Sequence, residues 1–301
     1  MVPVMKPSTH SDSLDIGKLR QWIGREQESQ DLVTPRLIAQ LNACFDDPGA
    51  AAEPAPEQSS FPGLHWVLAP DNAPLASLDE DGHIARGGFL PPVPLPHRMW
   101  AGGQLQHLDP LRLGDTVWRR SRVEDVTVKQ GRSGVLCFVA VRHEFTTARG
   151  MALTERQDIV YRDQTTTDTA ARGNAGMQPG TQAAHESVPM VSRTFDAGPV
   201  LLFRYSAVTF NGHRIHYDHD YCRTQGYPGL LVHGPLQATL LLRLGAALHH
   251  GALPRVFSYR SLRPLFAAAA CSVNAARQAD GLELWTADGG GAAAMQARAA
   301  W

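Results

Sequence analysis

The sequence lacks long hydrophobic runs: no stretch approaches the ~20 apolar residues that a membrane span requires. Cysteine is scarce. The four residues Cys44, Cys137, Cys222 and Cys271 stand far apart in 301, and none forms a CxxC pair. That spacing argues against a structural zinc site or a disulfide framework and for reduced, buried thiols. Excess charge is also missing. A net charge of −1 argues against general binding to nucleic-acid phosphates, which needs a strong basic patch. It leaves room for a small basic mouth that captures an anionic substrate. The opening residues 1–8 show neither a secretory apolar core nor an Arg-rich amphipathic pattern, so a cytoplasmic location is expected.

What is present is the composition of a packed globular chain, 43% hydrophobic and 19% charged. Residues 48–60, 164–188 and 288–294 read as connections, the last as a hairpin turn. The middle one divides the chain into an N-terminal unit, 1–163, and a C-terminal unit, 189–301. Helices are expected over 14–25 and 35–45, the second capped by Thr34 and entered through Pro35. Strands are expected over 64–68, 99–107, 117–128, 135–147 and 151–161. The second half repeats the order: a strand over 200–209, a long apolar helix over 234–248, then strands over 255–262, 269–278, 282–286 and 293–300. Two copies of a helix followed by antiparallel strands point to a duplicated α+β fold. In it, two antiparallel sheets each wrap a central helix and would run on as one when set side by side.

The chemistry concentrates in one segment. Asn211, His213, His216 and Asp218 fall within a short polar run behind an apolar stretch, and His233-Gly234-Pro235 opens the long helix further on. A glycine at a helix start leaves its N–H free, and with the positive end of the helix dipole it can hold a developing negative oxygen. A histidine near its ordinary pKa can serve as the base, with a polar neighbour such as Asn211 holding a water in line. This pairing suits chemistry at a carbon activated by a carbonyl, such as hydration of an enoyl thioester, which needs neither a metal nor a redox cofactor. His213, His216 and His219 recur every third residue, but zinc-binding helices favour i, i+4 pairs, and no metal site is expected. Blander roles are open beside these. Asn211 would brace its loop by an Asx-type bond, Asp218 would cap a short helix at 221–224, and His233 would be a contact at the helix entry. Gly102-Gly103 implies close backbone approach to another element.

The run Asn211-Gly-His-Arg-Ile-His-Tyr-Asp218 followed by His233-Gly234 resembles the MaoC-like (R)-specific enoyl-CoA hydratases, which have the hot-dog fold. That family carries Asp-x-Asn-Pro-Leu/Ile-His-x-Asp and then His-Gly. The resemblance implies that His216 is the catalytic histidine and Gly234 the oxyanion donor. It also shows departures: Asn211 stands at the family's catalytic Asp, His213 at its Asn and Arg214 at its Pro. An Asn cannot accept a proton as a base. Either His216 works with Asn211 orienting water, or His213 or Asp218 takes the missing role. The wider wording of 209–218, 226–236 and 257–264 is similar to one branch: mesaconyl-CoA (3-methylfumaryl-CoA) hydratases, itaconyl-CoA hydratases and type-2 hydroxyacyl-thioester dehydratases. Weaker similarities at 22–25, 96–103 and 113–115 extend it over most of the chain. The resemblance implies a double hot-dog chain with a degenerate N-terminal half, a coenzyme A thioester as substrate, no separate cofactor, and a monomer or homodimer.

Dicarboxylyl substrates of this branch need a cation, best an Arg fork. Arg98, Arg214, Arg260 and Arg263 are the candidates, the last two also for CoA phosphates. Tyr217 and His233 are further substrate-binding candidates by position. Two rival readings stand beside the hydratase: a hot-dog acyl-CoA thioesterase, and a non-catalytic acyl-thioester binding protein.

Overall fold

The computed structural model describes residues 14–45, 61–131, 134–162, 187–267 and 270–301. The expected connections at 48–60 and 164–188 lie almost wholly outside these residues. The first half contains β1 (Glu26–Leu32), β2 (His97–His107), β3 (Thr116–Gly131), β4 (Gly134–Thr147) and β5 (Gly150–Arg162). The second contains β6 (Val191–Asp196), β7 (Val256–Ser261), β8 (Ala270–Gln278), β9 (Gly281–Ala287) and β10 (Ala293–Ala300). All pair antiparallel in one ten-stranded sheet, ordered β1-β3-β4-β5-β2-β7-β10-β9-β8-β6. Outward from the β2–β7 seam, each half presents its second strand, then its fifth, fourth, third and first. The mirrored order is the mark of the duplication that the sequence suggests.

Gly102 and Gly103 lie on that seam, opposite Arg260 and Tyr259. A Cβ on Gly103 would lie 2.2 Å from the Arg156 carbonyl oxygen and 2.4 Å from the Tyr259 hydroxyl. The close approach expected of this pair is therefore strand against strand at the junction of the halves. The β9–β10 connection is a hairpin turn, held by Asp288 Oδ1, which accepts from Gly290 N and Ala292 N.

The helices are α1 (Ile16–Arg20), α2 (Pro35–Asn42), α3 (Pro199–Val208), α4 (His219–Thr224) and α5 (Gly234–Leu248). The last packs on β8, β9 and β10. It buries Leu236, Leu241, Leu242 and Leu244, each worth roughly 1.5–3 kcal/mol over exposure. Among the described residues only the C-terminal half has such a long helix on its sheet. In the N-terminal half α2, capped by Thr34 as expected, spans eight residues and packs on α3. No helix of the described residues is long and apolar enough to cross a membrane.

Several expected elements change identity. The apolar run at 200–209 is helix α3, entered through Pro199 at its first turn. A short apolar run fits a buried strand or a buried helix equally by pattern, and the burial of Leu202, Tyr205 and Ser206 at three- and four-residue spacing decides it. Residues 64–68 hold a 3-10 turn, Leu64–Trp66, not a strand. The helix expected over 14–25 ends at Arg20, and β1 follows. Its sequence, EQESQDL, carries no apolar alternation because β1 is an edge strand paired with β3 alone.

Candidate active site

The seam of the two halves opens into a cavity of about 920 Å³. The N-terminal half contributes His83, Arg98 and Trp100 to its wall, and the C-terminal half Asn211, His216 and Gly234. The C-terminal residues arrive there because α3 ends at Val208 and the chain closes a 3-10 turn, Arg214–His216, before α5 begins. That turn is tied to the strand-like segment behind it: Leu231 N donates to the Ile215 carbonyl at 2.9 Å.

His216 is 7% exposed, and its Nδ1 lies 2.8 Å from the Leu231 carbonyl oxygen. A carbonyl only accepts, so Nδ1 carries the ring proton and Nε2 keeps its lone pair. Among the described residues Nε2 has no hydrogen-bond partner. Burial pushes the His216 pKa down to about 4, against the opposing Leu231 bond, so the ring is a neutral base at working pH. Its underside stacks on His233, centroids 3.6 Å apart and planes 19° apart. His233 is fully buried and is fixed by Ser206 Oγ at 2.8 Å from its Nε2. It is a packing support beneath His216 and does not reach the cavity wall.

Gly234 opens α5, and its N–H has no partner among the described residues. A Cβ there would lie 2.7 Å from Trp100 Cε3, so glycine is required for the indole to pack against the helix start. The base and a bare amide at the positive end of a 15-residue helix thus share one cavity.

The other expected site residues divide. Asn211 lines the cavity, but its Oδ1 accepts from His213 N at 3.0 Å, the bracing role. Its amide NH2 is a donor, and Oδ1 keeps one lone pair beside that bond. His213 also lines the cavity, edge-on to His216 with centroids 5.4 Å apart. Burial, with His83 and His216 beside it, holds its pKa well below the ordinary value. Asp218 is off the cavity wall. Its Oδ1 caps α4 at Tyr221 N, and its Oδ2 accepts from Arg214 Nε and Nη2 at 3.0 and 2.8 Å. Those bonds consume both Asp218 and Arg214, which correct each other out of the proposed catalytic and substrate-binding sets. Tyr217 lines the mouth, half exposed, with its hydroxyl donating to the Gly212 carbonyl.

The arginines separate just as clearly. Arg263 reaches the cavity but spends its guanidinium on Asp288 at 2.7 Å and on the carbonyls of Ala292 and Ala293. Arg260 is exposed on β7, away from the cavity wall. Arg98 lines the cavity beside His83 and His213 and makes no ion pair with any described residue. Sequence reasoning missed three residues at this site: Asp81, His83 and Ser206. Asp81 and His83 sit in a polar loop of the other half, with no motif to flag them.

Residues 63–267 match the hydroxyacyl-thioester dehydratase type 2 family. The chain belongs to that family. A mesaconyl-C(4)-CoA hydratase of Chloroflexus aurantiacus is 40% identical to this family member over 279 residues, 92% of this chain and 95% of that protein. The mitochondrial hydroxyacyl-thioester dehydratase type 2 of Schizosaccharomyces pombe is 25% identical over 68% of this chain and 74% of its own. Among solved structures, a MaoC-like dehydratase from Phytophthora capsici superposes with a TM-score of 0.65 at 13% identity, over 96% of this dehydratase-family chain and 99% of its own. A Mycobacterium tuberculosis protein described as having a double hot-dog fold gives 0.53 at 14%, over 92% and 95%. At these identities the likeness is one of fold, and it agrees with the mirrored strand order: the chain is a double hot-dog.

Proposed function

We propose that this family member is a hydro-lyase that adds water across the double bond of an enoyl-CoA thioester, with a branched dicarboxylyl ester such as 3-methylfumaryl-CoA (mesaconyl-CoA) as substrate. The observation that carries the reading is the pairing, in one cavity, of His216 Nε2 and the Gly234 N–H, neither of which has a partner among the described residues. His216 takes a proton from water as the water oxygen bonds to the β-carbon. The π pair moves toward the thioester oxygen, where the Gly234 amide and the α5 dipole hold the negative charge. The His216 imidazolium then returns the proton to the α-carbon, and one water has been added with the thioester intact. The reverse sequence is the dehydration. Nothing in these steps calls on a metal or a redox cofactor.

The free carboxylate of 3-methylfumaryl-CoA sits on the β-carbon, next to the point of attack. Arg98, on the cavity wall beside His83, His213 and the Tyr161 hydroxyl and with no carboxylate partner among the described residues, would receive it. The 40% identity to a mesaconyl-C(4)-CoA hydratase supports the same substrate class. A cytoplasmic protein, acting as a monomer or a homodimer, fits a chain that already contains two hot-dog units.

The test is incubation with crotonyl-CoA, 3-methylfumaryl-CoA and itaconyl-CoA, followed by chromatography and mass, with His216→Ala beside the wild type. The expected result is one added water on a dicarboxylyl ester, lost in His216→Ala. Release of free CoA thiol would make the protein a thioesterase. Binding without turnover would make it a non-catalytic acyl-thioester binding protein.

A further inference from the structure

The attacking water has two hydrogens, and His216 accounts for one of them. The second needs an acceptor to fix the oxygen lone pair on the β-carbon. On the loop that carries His216 the carboxylate Asp218 is engaged by Tyr221 and Arg214, and Asn211 Oδ1 already accepts from His213 N, which leaves the His213 ring as that loop's other acceptor on the cavity wall. We propose that Asp81 and His83, from the N-terminal half, supply the missing arm, with His83 Nε2 accepting the second O–H of the water. This rests on the hydratase reading above.

The loop that carries the pair is built onto the catalytic loop. Asp79 N donates to the His83 carbonyl at 2.7 Å and Gly82 N to the Asp79 carbonyl at 2.9 Å, closing a tight turn. Arg214 N then donates to the Asp81 carbonyl at 2.9 Å, and Arg214 Nη1 to the Glu80 carbonyl at 3.2 Å. Gly82 lies against Gly212 so closely that a Cβ would come within 2.0 Å of the Gly212 carbonyl oxygen. These contacts fix where His83 stands. Its ring lies 3.9 Å from that of His213, and His213 in turn is edge-on to His216. His83 lines the same cavity as His216, and its side chain remains 21% exposed.

Asp81 sets the tautomer. Its Oδ1 accepts from His83 N at 2.8 Å and its Oδ2 lies 3.0 Å from His83 Nδ1. Burial works to raise the Asp81 pKa, but the bonds and charge of His83 outweigh it and keep the group ionised. A carboxylate only accepts, so the ring proton of His83 is on Nδ1 and Nε2 presents a lone pair. Among the described residues that nitrogen has no partner. The charged or titratable groups facing His83 are Asp81 on its own turn, Arg86, Arg98, His213 and His216. Burial and Arg98 push the His83 pKa down to about 4, against the opposing Asp81 bond. The ring is therefore a neutral acceptor. Asp81, His83 and His213 also bring one ligand-type atom each within 4.8 Å of one another, which makes a divalent cation the rival occupant. The Asp81–His83 bond and the adjacent Arg86 and Arg98 cations favour the acid–base pair.

Asp81→Asn is the discriminating substitution. The His83 N–H keeps the amide oxygen, so the new NH2 faces Nδ1 and forces the ring proton to Nε2, turning the acceptor into a donor. The expected result with 3-methylfumaryl-CoA is a fall in kcat of at least about 100-fold with KM within about threefold. It comes with a tautomer switch in the 15N spectrum of His83. His83→Phe, which has no acceptor, should fall as far, and the double variant no further. Adding Asn211→Asp to His83→Phe restores an acceptor and should regain at least about tenfold in kcat. Wild-type kcat in both folded single variants, with His216→Ala inactive, overturns this inference and leaves the hydratase reading standing. A loss confined to KM or to thermal stability, without rescue by Asn211→Asp, also overturns it, as does a rate abolished by EDTA and restored by a divalent metal. If the wild type hydrates none of the esters, the hydratase reading falls first and this inference with it.

Discussion

Arg98 has no carboxylate partner among the described residues, while Arg214 and Arg263 are both engaged. That difference assigns it a measurable effect. Arg98→Gln removes a charge-assisted fork worth ~1.5–3 kcal/mol. It should raise KM for 3-methylfumaryl-CoA at least about tenfold. The KM for crotonyl-CoA, which has no second carboxylate, should stay put; an equal rise for both esters would remove Arg98 from carboxylate recognition. Gly234 is tested differently. In Gly234→Ala the methyl group meets Trp100 Cε3 and displaces the helix start. Loss of one oxyanion donor costs roughly 10²–10³ in kcat, and steady-state kinetics at wild-type rate would falsify the oxyanion role. His216 and Gly234 were legible in the sequence because each lies inside a contiguous run whose order carries the chemistry. Asp81 and His83 lie in no such run, and Arg98 was one of four arginine candidates among which the sequence could not choose. They meet the catalytic loop only across the seam of the halves.

Among the elements, α5 carries the site and much of the core. Leu241 on it is fully buried. Leu241→Ala should destabilise the protein by roughly 2–5 kcal/mol, through lost transfer energy and the cavity left behind. Urea unfolding with an unchanged slope would read this directly, and a loss under about 1 kcal/mol would mean that the helix is not packed as described. This helix was plain in the sequence because its apolar run is too long for a strand. The run at α3 is short, so pattern could not choose, and its packing against α2 and the catalytic loop decides. β1 escaped for the opposite reason: an edge strand with polar residues on both faces needs only β3's backbone bonds, and those leave no hydrophobic signature.

At the scale of the whole molecule, several buried histidines make stability depend on pH. His83 and His216 are pushed down to about 4 and His143 to about 3, burial being the leading cause in each. Burial also holds His65, His213 and His233 well below the ordinary value. Each binds a proton more readily when unfolded, with a pKa near ~6.5. Their contribution is therefore complete above about pH 6.5 and is lost as pH falls toward the folded values, by up to roughly 2 kcal/mol each at pH 5. The lowered carboxyls of Asp115 and Asp288 act only below about pH 4. The midpoint of urea unfolding should accordingly drop between pH 7.5 and 5.5, and a flat midpoint over that range would contradict the buried neutral histidines.

The sequence by itself determined the duplicated α+β architecture, the long helix, the hairpin after β9 and the base–amide pair of the C-terminal half. Periodicity, glycine placement and a short polar run are local properties that survive in one dimension. Only the tertiary structure decided which arginine on the cavity wall lacks a carboxylate partner among the described residues, and that a carboxylate–histidine pair from the other half faces the site. Those outcomes depend on which groups satisfy one another once burial removes water as a partner. That competition is settled between residues more than a hundred positions apart, such as Arg214 and the Glu80 carbonyl.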